Sequence, residues 1–70
     1  MANSRNQAEH VVNHEDGWAV KAEGAEQPTK VYDKKQDAVD RAREIAQNKG
    51  TSAIIHTKEG TIQKQFNYNN

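Results

Sequence analysis

His14-Glu15-Asp16-Gly17-Trp18-Ala19-Val20 (HEDGWAV) sets an Asp-Gly step between two short β-prone runs, HVVNH at 10–14 and WAVKA at 18–22. Asp-Gly between such runs is the strongest short-range hairpin signal, because Gly17 supplies the positive φ that a tight reversal demands. A three-residue loop with a bulge at Gly17 sets Val12 opposite Val20 and His14 opposite Trp18. That register gathers Val12, Trp18 and Val20 on one face, whereas a two-residue loop pairs Val12 with Lys21. The first is preferred, with Trp18, the chain's one tryptophan, as the large anchor of the core. On this reading Glu15 and Asp16 are there for turn chemistry.

Outward from the hairpin, Gly24-Ala25-Glu26-Gln27-Pro28 reads as a turn and Thr29-Lys30-Val31-Tyr32 as a third strand that starts after proline. From Asp33 the apolar period changes from two to 3.6. Ala38, Val39, Ala42, Ile45 and Ala46 make one stripe of an amphipathic helix, with Asp33 as N-cap, Gln36 in capping-box position and Gly50 past the C-terminus. Ser52–His56 is a fourth strand, Lys58-Glu59-Gly60 a turn, and Thr61–Phe66 a fifth strand with Ile62, Lys64 and Phe66 on one side. The order β-β-β-α-β-β with short turns predicts an α+β, two-layer domain, an antiparallel sheet packed on one amphipathic helix. The expected layout is a disordered tail over 1–8, a single domain over 9–66 and a flexible tail over 67–70.

Seventy residues form about one small core, and a chain of this size buries only about 60% of its unfolded surface. Ten basic and ten acidic residues give zero formal net charge, so no long-range field draws the molecule to nucleic acid or anionic lipid. There is no cysteine, which removes disulfides, thiolate nucleophiles and zinc-thiolate sites. No apolar run is long enough for a signal peptide or a membrane span, so the cytoplasm is the expected compartment.

The candidate chemistry is sparse. His10, His14 and His56 are the possible metal ligands, but His10 and His14 lie about 13 Å apart on one strand, too far for a single ion. No serine neighbours a histidine, the threonine that does, Thr57 beside His56, lies at a strand end, and Glu15 and Asp16 sit on an exposed turn where a carboxylate is not desolvated. The expectation is therefore no catalytic residues, no metal, no cofactor and no small-molecule substrate. The leading reading is a non-catalytic cytoplasmic interaction module that associates with itself as a homodimer or with another protein. Its motives are a lean core and a sheet face away from the helix, where Val11, Tyr32 and Ile54 are expected to lie. The alternative is weak nucleic-acid binding through Lys21, Lys30 and Tyr32 on the exposed sheet face.

HVVNHEDGWAVKAEGAEQPTKVYDKKQDAVDRAREIAQNKG, followed by AIIHTKEGTI, covers positions 10 to 62. Over this span the chain resembles the bacterial family catalogued as domain of unknown function 2188, small uncharacterised proteins. The resemblance implies a fold and brings no activity or catalytic residue. GWAVKAEG with KVYDKKQDAVDRAREIA is also similar, in its three-strand-plus-helix layout, to the amino-terminal arm-binding domains of phage integrases, which lay a sheet into DNA. That likeness motivates the nucleic-acid alternative.

Overall fold

In a computed structural model, which describes residues 7–68, five strands form one sheet with a single helix on one face. The elements are β1 (Glu9–His14), β2 (Gly17–Ala22), β3 (Lys30–Tyr32), α1 (Lys35–Lys49), β4 (Ser52–His56) and β5 (Ile62–Asn67). The predicted order β-β-β-α-β-β and the α+β, two-layer architecture hold. Of the tails expected over 1–8 and 67–70, residues 1–6 and 69–70 lie outside the described residues; Asn67 is the last residue of β5, and Tyr68 N–H donates to the Thr51 carbonyl at 3.0 Å.

The sheet is mixed, which corrects the expectation of antiparallel pairing throughout. Its spatial order is β3-β2-β1-β4-β5, and β4 runs parallel to β1 while every other pair is antiparallel. Short turns force antiparallel neighbours only within β1-β2-β3 and within β4-β5. Between these two units stands α1, whose 15 residues span about 22 Å, enough to carry the chain back along the sheet. That extra reversal makes β4 enter in the direction of β1.

The hairpin closes on a two-residue loop, Glu15-Asp16, with His14 opposite Gly17 and Val11 opposite Val20. This differs from both registers weighed from sequence, and a one-residue slip turns the whole of β1 over. Val11 therefore faces the helix, fully buried with Val20, and Val12 faces the other way. Two side chains decide it together: in this register the buried Glu9 and Val11 both point to the helix side, and Glu9 finds Lys49 there at 2.8 Å. A pattern that counts only apolar residues misses that pair.

Ala38, Ala42 and Ala46 of α1 have no exposed surface and meet Val11, Val20, Ala53 and Ile55. The alanine stripe is as predicted, and it lets the helix lie close on the sheet. Trp18, Tyr32, Val39, Ile45, Phe66 and Tyr68 are partly buried around this centre, so Trp18 borders the core and is not its middle. The N-cap is Lys34, in extended conformation with no side-chain cap bond, one residue later than expected. Asp33 then stands outside the helix, and Gln36 donates to Asp40 Oδ1 at 2.8 Å instead of closing a capping box. At the other end Gly50 takes the left-handed conformation and Thr51 N–H reaches the Ala46 carbonyl at 2.9 Å, the predicted stop.

Candidate interaction surfaces

Side chains alternate across a strand, so each registered pair lies wholly on one side of the sheet. Val11, Trp18, Val20, Tyr32, Ala53, Ile55, Lys64 and Phe66 are on the helix side. The open side carries Val31, Ala19 and Val12 as one transverse row over β3, β2 and β1, and Lys21, His10, Ile54 and Gln65 as the next row. Ala19 is 1% exposed, sheltered between the larger valines, whereas Val12, Val31 and Ile54 are half-buried with no helix over them.

Of the three residues expected on this face, only Ile54 is there. Val11 and Tyr32 are on the helix side, the first because of the hairpin slip and the second because it pairs with Trp18. Ile62 was grouped with Lys64 and Phe66, but an irregularity between Ile55 and His56 inserts one residue in β5 and pairs Ile62 with His56 on the open side. At 61% exposure it is the most exposed large apolar side chain among the described residues. Val12, Val31 and Ile62 are thus the members of this face that sequence reasoning missed. The valines become visible once β1 is in register, and only a β-bulge reveals Ile62.

The residues of the nucleic-acid alternative do not share a surface. Lys21 belongs to the open side, paired with His10, while Lys30 and Tyr32 pair with Val20 and Trp18 on the helix side. There the Lys30 ammonium sits 5.7 Å from the centroid of the Tyr32 ring.

His10 and His56, 46 positions apart, meet because β1 and β4 are parallel. His10 Nδ1 is 2.9 Å from His56 Nε2, and the rings stack with centroids 5.2 Å apart. His56 Nδ1 lies 3.1 Å from the Gly60 carbonyl, and His10 Nε2 lies 3.2 Å from Glu23 Oε1. A carbonyl and a carboxylate only accept, so His56 donates from Nδ1 to Gly60 and His10 from Nε2 to Glu23, and the hydrogen between the two rings belongs to either of them. A neutral His56 ring is therefore the Nδ1–H tautomer, and long-range nitrogen–proton NMR is expected to show it; a neutral His56 protonated at Nε2 instead would break its bond to Gly60. His14 stands apart, accepting the Asp16 N–H at 3.0 Å within the turn. Among the described residues no three of His, Asp and Glu come together at metal-binding distance.

Among the described residues one carboxylate is buried. Glu9 is 2% exposed and takes one bond, from Lys49 Nζ to Oε2 at 2.8 Å, while Oε1 has no partner among the described residues. The pair ties the first residue of β1 to the last of α1. Glu15 and Asp16 are exposed on their turn as expected.

Among the described residues no helix is long and apolar enough to cross a membrane. No solved structure matches the chain. The chain is 50% identical over 61 residues to the uncharacterized protein YdaT of Bacillus subtilis (strain 168), a match that covers 87% of this chain and 41% of that protein. The chain thus spans about two-fifths of the length of this relative. The model of a family described as uncharacterized proteins conserved in bacteria (DUF2188) matches residues 9–68, from the first strand to the residue after the last. With the β-β-β-α-β-β fold running over the same span, the chain belongs to that DUF2188 family.

Proposed function

We propose that the domain is a non-catalytic cytoplasmic interaction module that pairs with a second copy of itself through the open side of its sheet. The observation that carries this reading is the uncovered row Val31, Ala19 and Val12, with Ile54 beside it and Ile62 beyond. Five strands with one helix leave half of the sheet's faces without a covering layer, and stacking a second sheet at about 10 Å is the common way to cover such a face. Zero net charge means that two copies approach without mutual repulsion. Five strands of at most six residues make a face of about 20 by 20 Å in projection, about half of the ~800 Å² that each partner gives to a standard interface, so a face-to-face dimer uses all of it.

Against the nucleic-acid alternative stands the placement of Lys21 on one side of the sheet with Lys30 and Tyr32 on the other, since a docked strand or duplex touches one side at a time.

Lys in place of Val12 and of Ile54 tests the reading, because both positions are half-buried on the open side and outside the core cluster. Sedimentation of the unaltered chain is expected to give twice the 7.9 kDa mass, unchanged by nuclease, and Val12→Lys with Ile54→Lys is expected to give the single mass with its helix and sheet signals intact. A double variant that remains dimeric would remove this face from the interface.

A further inference from the structure

The helix packs over β1, β2, β3 and β4 but barely reaches β5, which leaves a groove of about 530 Å³ between α1 and β5 on the helix side of the sheet. Its floor is apolar, built from Val39, Ile55 and Phe66, and its rim carries Lys35, Arg43 and Lys64 with no carboxylate in the lining. In a chain with as many acids as bases, three cations converge here, and none of them has an ion-pair partner within 4 Å among the described residues.

Each cation is held by an aromatic face or a neutral oxygen, and Asp40, one turn back on α1, acts on Arg43 from a distance without forming an ion pair with it. The Arg43 guanidinium carbon lies 4.3 Å from the Phe66 ring centroid and Lys64 Nζ lies 5.2 Å from the same ring. Arg43 Nε donates to the Tyr68 hydroxyl at 2.9 Å, a bond that holds the guanidinium proton more firmly than usual. Lys35 Nζ donates to Gln63 Oε1 and stands 4.6 Å from the Trp18 ring centroid. Aromatic faces and neutral oxygens fix these groups in position while leaving their charge to an incoming anion.

The outer wall of the groove is β5 itself, a six-residue edge strand whose far side pairs with no other strand among the described residues. An extended segment laid along that edge gains backbone hydrogen bonds from β5, and every second side chain of the segment turns toward the groove. Lys35, Val39 and Arg43 follow one another at four-residue steps on α1, so the two cations are about 12 Å apart along the helix, close to the roughly 13 Å that separates the first and third groove-facing positions of such a segment.

We infer that the α1–β5 groove is a docking site for an extended acidic peptide, added as a sixth strand on β5, with a bulky apolar side chain between two acids at alternate positions. This site lies across the sheet from the self-association face and does not depend on it.

The test uses the unaltered protein and blocked peptides built on Glu-Thr-Leu-Thr-Glu, with binding read by fluorescence anisotropy and by amide NMR shifts. The Glu peptide is expected to bind, to weaken as salt is raised, and to move the amides of β5 and the side-chain signals of Arg43 and Lys64. Lys-Thr-Leu-Thr-Lys is expected not to bind. Glu-Thr-Thr-Leu-Glu, whose leucine turns away from the groove, is expected to bind about tenfold more weakly, as is the first peptide to Arg43→Gln with Lys64→Gln. Both substituted side chains are exposed, so circular dichroism is expected to show the fold unchanged. Equal binding of the Glu and Lys peptides, indifference to the double variant, full displacement by free glutamate at equal concentration, or shifts confined to the open side of the sheet each overturns the assignment. Sedimentation of the same samples reads self-association separately, so failure of one surface is told apart from failure of the other.

Discussion

Gly17→Ala is expected to leave most of the protein unfolded at room temperature, the largest effect of any single-methyl addition to the described turns. Gly17 has φ +134°, a conformation that side chains rarely adopt. More severely, a Cβ built there lies 2.1 Å from the Tyr32 carbonyl oxygen and 3.1 Å from Asp33 Cα. Both obstacles are backbone, so no rotamer change relieves them. Either β3 leaves β2 at the Trp18–Tyr32 pair or the hairpin turn opens, and both outcomes expose the margin of the core. Strain of this kind costs on the order of 3 kcal/mol or more, against the ~3–5 kcal/mol that a core in this size range supplies. Gly60→Ala separates the two parts of the effect. Gly60 also has positive φ, +98°, but nothing lies within 4 Å of its added methyl, so the cost is the backbone preference alone, about 1 kcal/mol. Thermal unfolding by circular dichroism compares them, and a Gly17→Ala protein as stable as Gly60→Ala would mean that β3 is not where the structure puts it.

The second large effect comes from the buried carboxylate. Lys49→Met removes the bond that holds the carboxylate of Glu9, which is 2% exposed and whose Oε1 has no partner among the described residues. A buried charge without its partner costs about 3–5 kcal/mol, and the low end applies because Lys49 itself is at the surface, so roughly 3 kcal/mol is expected. Replacing both members, Glu9→Met with Lys49→Met, takes away the charge together with its need, and is expected to restore stability to the unaltered level or above it. Urea unfolding of the two singles and the double completes the cycle. A Lys49→Met protein within about 0.5 kcal/mol of the parent would show that Glu9 is stabilised from elsewhere.

These two sites show what the sequence made legible and what it withheld. Helix α1 was readable because its stripe, Ala38, Val39, Ala42, Ile45 and Ala46, repeats with the helical period and Gly50 stops it. The hairpin was readable as an element, since Asp-Gly is a local signal, but its register was not. Loops of two and three residues are both compatible with HEDGW, and the register adopted is the one that buries Glu9 together with Val11 and sets Glu9 against Lys49, 40 positions away. That one slip explains why Val11 and Val12 exchanged faces. Parallel pairing of β1 with β4 has no local signature at all, and the contact of His10 with His56 follows from it. On β5, Ile62 was placed with Lys64 and Phe66 because alternation assumes an unbroken strand, which the irregularity at Ile55 and His56 interrupts. The cationic groove was hidden for the same reason: Lys35 and Arg43 come from a helix and Lys64 from a strand, and only the shortfall of α1 over β5 brings them together.

Self-association through the open side of the sheet is tested most directly by amide NMR on the unaltered chain as it is diluted from millimolar to micromolar concentration. Dissociation is expected to move the signals of Val12, Ala19, Val31, Ile54 and Ile62, which share that side, and to leave Ala38, Ala42 and Ala46, sealed against the opposite side, where they are. Spectra that do not change with concentration, or changes confined to α1 and the groove beside β5, would contradict it.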